Sequence, residues 1–234
     1  MKSLKYWSIL LFILSVSLTY SQSQEDDIKK INDKYSSFKN TYMEVEYYVY
    51  TNESSTIPIQ QEKGIIKKMG ELQYNKIGVV EIIKSTEYNF FINHEEKSMA
   101  VLPYKNASKE SNAHPVVAVD KLLKLCKEFD FKNLDKAHKS CIMECPSSEF
   151  KKVIIEYSSK DYLISKVVLV YREALNLQGD NKGTKETPRI EIIYKNVKSN
   201  LSFSKETFTY DNYIEKRGGK LYCKQKYKGY KLYQ

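Results

Sequence analysis

The sequence predicts an α+β fold in which an amphipathic helix leads into an antiparallel β-meander, and three observations predict it. Ile28, Ile31, Tyr35 and Phe38 recur at three- and four-residue intervals among charged residues, the spacing that lines up one face of a helix. Beyond Tyr42, short segments of alternating apolar and polar residues follow one another, separated by glycine, asparagine or proline, as strands joined by turns do. The chain also holds twenty tyrosines, a residue type suited to sheets with one apolar and one wet face.

Taken in order, the first helix is expected over Gln24 to Phe38. A strand follows from Tyr42 to Tyr50, with Met43, Val45, Tyr47 and Val49 on one face. After a loop containing Asn52, Ser54, Ser55 and Pro58, further strands are expected over Gly64 to Lys68, Leu72 to Ile77, Val79 to Lys84, Glu87 to Ile92 and Lys97 to Leu102. Gly70 and Gly78 punctuate them, and Asn93-His-Glu-Glu96 makes a hairpin turn. Lys105 to Ala113 is polar loop. Pro115 then sits as a first-turn residue of a second helix running to Phe129, with Val116, Val119, Leu122, Leu123 and Cys126 at helical spacing. From Asp130 to Ser148 the pattern supports only a loop, with a short helix as the alternative. Strands resume at Lys152 to Tyr157, Leu163 to Tyr171, Arg189 to Lys195 and Leu201 to Tyr210, with Gln178 to Gly183 as an exposed loop. Gly218-Gly219 and Lys228-Gly229 flank a tyrosine-rich segment expected to form a last edge hairpin.

Ahead of this domain, Met1, Lys2 and Lys5 precede an apolar run from Trp7 to Leu18, and Thr19 and Ser21 stand at small-residue positions before a cleavage point after Ser21. Residues 1–21 thus read as a cleaved signal peptide and 22–234 as a single domain, periplasmic or secreted. An uncleaved anchor is the alternative, but Ser15, Ser17 and Thr19 interrupt a run already shorter than the ~20 apolar residues that span a bilayer. Export demotes nucleic-acid, nucleotide and cytosolic metabolic functions. The formal charge of +9 falls to +7 without Lys2 and Lys5, and nearly all of it is lysine, since the only arginines are Arg172, Arg189 and Arg217. Lysines suit diffuse attraction to anionic membranes better than bidentate phosphate reading, or they simply keep the surface solvated.

Cys126, Cys141, Cys145 and Cys223 are all disulfide candidates in an oxidising compartment, with three pairings open. His138, Cys141 and Cys145 match no strong zinc spacing, so no metal is expected, and no cofactor. His94 in a turn and His114 before a helix read as exposed. Glu144, Glu149 and Glu156 do not read as a paired acid and base, and no Gly-x-Ser-x-Gly, His-Glu-x-x-His or phosphate-cradling loop is present. No catalytic residue is assigned, and the chain is not expected to be an enzyme.

Three stretches stand out together: Ile28 to Tyr50; Gly64 to Val101, including Glu87-Tyr-Asn-Phe-Phe-Ile-Asn93 and Glu96-Lys97; and Ile190-Glu-Ile-Ile-Tyr-Lys-Asn-Val197 leading to Asn200 and Phe208-Thr-Tyr210. They resemble the periplasmic lipoprotein carrier family, the LolA-like fold shared with the outer-membrane receptor LolB. Where the family carries an Arg-Pro pair, Lys68-Met69-Gly70 stands here, so an arginine lid lock is not carried over. The resemblance implies a strongly curved antiparallel sheet, an incomplete barrel covered by the N-terminal and mid-chain helices, that holds acyl chains in transit. By alternation, the candidate lipid-lining residues are Val45, Tyr47, Val49, Ile66, Tyr74, Phe90, Ile92, Val101, Val167, Leu169 and Ile192. The expected function is a monomeric exported carrier that shelters lipid or lipoprotein acyl chains between membranes without covalent chemistry. Its expected partners are those acyl chains and membrane-bound donor and acceptor proteins, with no nucleic acid. The alternative is an envelope interaction or assembly protein of the same fold with a filled core, acting through its basic, tyrosine-rich C-terminal segment (215–234).

Overall fold

A computed structural model describes residues 26–104, 126–177 and 185–234. The signal segment, the polar loop from Lys105, most of the mid-chain helix expected from Pro115, His114 and the loop after Gln178 lie outside the described residues. Helix α1 spans residues 26–36. The strands that follow are β1 Asn40–Tyr50, β2 Gln60–Met69, β3 Leu72–Ile77, β4 Val80–Lys84, β5 Tyr88–Asn93, β6 Ser98–Pro103, β7 Lys127–Asn133, β8 His138–Glu144, β9 Phe150–Ser158, β10 Ile164–Tyr171, β11 Arg189–Ser199, β12 Ile214–Arg217, β13 Lys220–Cys223 and β14 Lys231–Tyr233.

Twelve strands form one curved sheet in the order β14-β6-β5-β4-β3-β2-β1-β11-β10-β9-β8-β7, and its ends β14 and β7 do not meet, so the barrel stays open. All pairings are antiparallel except that of β14 with β6. Strands β1 to β6 follow the sequence expectation closely because each turn carries its own local signal, such as Gly78 at φ +54° between β3 and β4. Gly64 has a different role: a Cβ there would collide with the backbone of β3, so only glycine lets the two strands approach. Among the described residues no helix is long and apolar enough to cross a membrane.

Two expectations fail. The mid-chain helix does not reach Phe129; residues 127–133 form strand β7, paired with β8 so that Phe129 faces Met143 and Phe131 faces Cys141. Its start is held by a disulfide between Cys126 and Cys145, which brings residue 126 to the end of β8, so the helical spacing of Cys126 and Phe129 is coincidental. By chain entropy that closure contributes about 3 kcal/mol. The expected strand over Leu201 to Tyr210 is instead two 3-10 turns, Lys205–Phe208 and Tyr210–Asn212. Ser204 and Thr209 accept hydrogen bonds from the backbone N–H of Glu206 and Asp211, and these caps outcompete strand pairing.

Beyond those turns the chain folds back as a layer over β3 to β6. Tyr213, Ile214 and Tyr227 are buried against Ile83, Phe90, Ile92, Met99 and Val101. Phe90 and Tyr213 rings lie 5.2 Å apart, and Tyr213 and Tyr227 5.7 Å. Under this layer the buried Glu81 carboxylate meets Lys76 at 3.4 Å and His94 Nε2 at 3.2 Å, the latter without hydrogen-bond alignment, while His94 Nδ1 shares a 2.8 Å hydrogen bond with the Tyr230 hydroxyl. His94, read as an exposed turn residue, is therefore wedged between the sheet and the C-terminal layer. The expected edge hairpin is realised around Gly218-Gly219 as β12 and β13, and β14 extends the main sheet instead.

Cys141 and Cys223 are left as free thiols, Cys141 fully buried and pushed up to about 12 by that burial, with Asp130 and Asp27 adding to the effect. Without reductant at neutral pH, a thiol reagent should label Cys223 in the folded protein and Cys141 only after urea is added. Native labelling of Cys141 at its denatured rate would contradict the packing of β8.

Candidate functional site

Because side chains alternate across a strand and partners in register share a face, the pairings sort the sheet into two faces. One face, the helix side, carries Met43, Val45 and Ile66, then Ile192, Val167 and Ile155 across β11, β10 and β9, all buried with Ile28 and Ile31 of α1. The helix is tied down by polar contacts at its edge. The buried Asp27 carboxylate accepts from Lys139 Nζ at 2.7 Å and from the Tyr157 hydroxyl at 2.9 Å, and the Tyr35 hydroxyl accepts from Ile164 N–H at 3.0 Å. Asp27 thus anchors α1 to β8 and β9.

The same face continues through the register Ile66–Asn75–Ile82–Phe91–Ala100–Tyr233. Ile66 and Asn75 are buried, but Ile82 is 43% exposed, Phe91 48%, Tyr233 48% and Leu102, further along β6, 54%. With strands ~4.8 Å apart, the row from Ile82 on β4 to Tyr233 on β14 spans roughly 14 Å. Large contiguous apolar patches on a protein surface mark interaction sites. Lys84 sits beside it on the same face, 3.5 Å from Glu71 and over the Tyr104 ring.

The sequence-derived lining residues divide between the faces. Val45, Tyr47, Val49, Ile66, Val167, Leu169 and Ile192 lie on the helix side, whereas Tyr74, Phe90, Ile92 and Val101 lie on the opposite face, packed under the C-terminal layer. One cavity cannot be lined by both sets. The residues that reasoning from sequence missed are Ile82, Phe91, Leu102 and Tyr233. The available signal was that β4, β5 and β6 are apolar at adjacent positions (Ile82-Ile83, Phe90-Phe91, Val101-Leu102), as strands used on both faces are.

On the helix side, burial pushes the Tyr47 phenol up to about 12, and Tyr35 likewise despite the Ile164 N–H; burial holds Tyr194 well above its ordinary range. These protonated rings are packing groups. Among the described residues no three His, Cys, Asp or Glu side chains converge on a metal position. A separate depression of about 510 Å³ is lined by Asn52, Glu53, Ser54, Lys151 and Thr187, with Glu53 held below the usual carboxylate range by hydrogen bonds from Lys152 and Lys151. Its walls do not suit an acyl chain.

No family model matches the sequence, and no curated protein does. Solved structures similar to this chain include a LolA superfamily protein from Nitrosomonas europaea (10% identity, TM-score 0.39, covering 80% of this chain and 98% of that one). The lipoprotein LppX of Mycobacterium tuberculosis gives 7% identity and a TM-score of 0.47 over 77% of this chain and 98% of its own. A DUF1329 family protein from Desulfovibrio piger gives 10% identity and a TM-score of 0.38 over 80% and 98%. At these TM-scores, all below 0.5, the likeness carries no functional weight.

Proposed function

We propose that this chain is an exported carrier that shelters acyl chains of a lipid or lipoprotein against the helix-side face of its sheet, without covalent chemistry. The observation that supports this reading is the exposed strip of Ile82, Phe91, Leu102 and Tyr233, on the same face as the buried apolar surface of β1 and β2 and separated from Ile66 by Asn75 of β3. Each methylene removed from water contributes ~0.8 kcal/mol, so ten on this strip would supply up to ~8 kcal/mol before association costs. A basic N-terminal segment followed by an apolar run supports delivery to the periplasm or cell exterior, where membrane-bound donors and acceptors of such a cargo reside. The rival reading is an envelope interaction or assembly protein of the same fold with a filled core, acting through residues 215–234, a segment that packs on the sheet through Tyr227 and β14.

Binding of a fluorescent long-chain fatty acyl probe to delipidated mature protein tests the proposal. The wild type should bind it saturably, and Ile82→Gln with Phe91→Gln should weaken binding at least tenfold with an unchanged circular dichroism spectrum. A wild type that ignores the probe, or a double variant that binds it equally well, would sink the reading.

A further inference from the structure

We propose that the C-terminal layer is a docking surface for the anionic face of a lipid bilayer. Residues 216–234 contain seven cations (Lys216, Arg217, Lys220, Lys224, Lys226, Lys228 and Lys231) and no carboxylate side chain. The layer is amphipathic in three dimensions. In β13, Leu221 and Cys223 pack toward the sheet while Lys220 and Tyr222 stand exposed, and Tyr227 is buried between exposed Lys226 and Lys228.

Among the described residues Lys216 pairs with Glu87 and Arg217 with Glu215, whereas Lys220, Lys224, Lys226, Lys228 and Lys231 meet no carboxylate at ion-pair distance. Elsewhere on the same face the charges cancel: Glu46 on β1 lies 2.8 Å from Lys195 and 3.8 Å from Lys63. Lys220, Lys224, Lys226 and Lys228, which have no carboxylate partner among the described residues, thus lie together on the layer over β3 to β6. Its cations are interleaved with tyrosine rings. Lys226 lies 5.2 Å from the Tyr227 ring centroid and Arg217 6.0 Å from that of Tyr222, and Tyr222 is the exposed ring of the two.

Point-charge ammonium groups beside half-exposed phenols match a bilayer interface, where anionic headgroups attract lysine and the amphipathic ring sits at headgroup depth. Sequence-reading of a nucleic acid or bidentate capture of a carboxylate partner would call for arginine, and six of the seven cations are lysine. The acyl strip, with Tyr233 of β14 in it and Lys231 beside it, lies on the other face of the sheet.

Vesicle sedimentation of the full mature chain tests it, using vesicles of phosphatidylcholine alone and of phosphatidylcholine with phosphatidylglycerol. The wild type should bind only the anionic vesicles and be released by salt. The combined variant Lys220→Gln, Lys224→Gln, Lys226→Gln, Lys228→Gln should bind at least a hundredfold more weakly with an unchanged circular dichroism spectrum and unchanged acyl-probe binding. A charge-matched control, Lys39→Gln, Lys136→Gln, Lys160→Gln, Lys198→Gln, should keep most of the affinity. Equal losses in both variants, binding to neutral vesicles, or polyglutamate binding as tight as that to anionic vesicles would each overturn the proposal.

Discussion

A chain ending at Ser204 should fail to form a stable domain, and Phe90→Ala alone should lower unfolding stability by about 3–5 kcal/mol. The C-terminal layer is the cover for one face of β3 to β6, and without it Ile83, Phe90, Ile92, Met99 and Val101 lose the packing of Tyr213, Ile214 and Tyr227. Exposing that much apolar surface removes an amount comparable with the whole stability of a domain, about 5–15 kcal/mol. Phe90 is 1% exposed, so its truncation leaves a cavity between sheet and layer. The neighbouring substitution Phe91→Ala, on the opposite face, should change stability by less than about 0.5 kcal/mol. Urea unfolding followed by circular dichroism measures both. Equal costs for the two phenylalanines would mean that the assignment of faces in β5 is wrong.

The second large effect expected is alkaline unfolding between pH 10 and 12. Burial raises Tyr35 and Tyr47 from the ordinary value of 10.0 to about 12, and it raises Tyr157, Tyr194, Tyr213 and Tyr227 in the same direction. In this window the folded state keeps protons that the unfolded state has lost, so stability is complete below pH 10 and falls as pH rises toward 12. Each of Tyr35 and Tyr47 would account for up to about 2–3 kcal/mol by the top of the window. Tyrosinate absorbance and circular dichroism recorded together should therefore change in one joint transition. Gradual ionisation of every tyrosine near its ordinary value, with the fold intact, would show that these rings are solvated.

Much of the architecture was legible in the sequence because it is encoded locally. The spacing of Ile28, Ile31 and Tyr35 marks α1, and alternation with glycine and asparagine turns marks β1 to β6 within a residue or two at most boundaries. The 201–210 segment was misread because its phenylalanines look strand-like, while the caps of Ser204 and Thr209, which decide its conformation, are local too. The mid-chain error has a different origin: nothing between Cys126 and Phe129 announces that Cys145 will be the disulfide partner.

What the sequence by itself determined is which residues of each strand share a face, since that depends only on the two-residue period of extended backbone. Which face is covered, and by what, was decided by tertiary structure alone. Phe90 and Phe91 are chemically identical neighbours, and only the return of residues 213–233 over β3 to β6 makes one core and leaves the other on the open strip. Burial depends on contacts between residues more than a hundred positions apart, and such contacts leave no periodic trace in either segment.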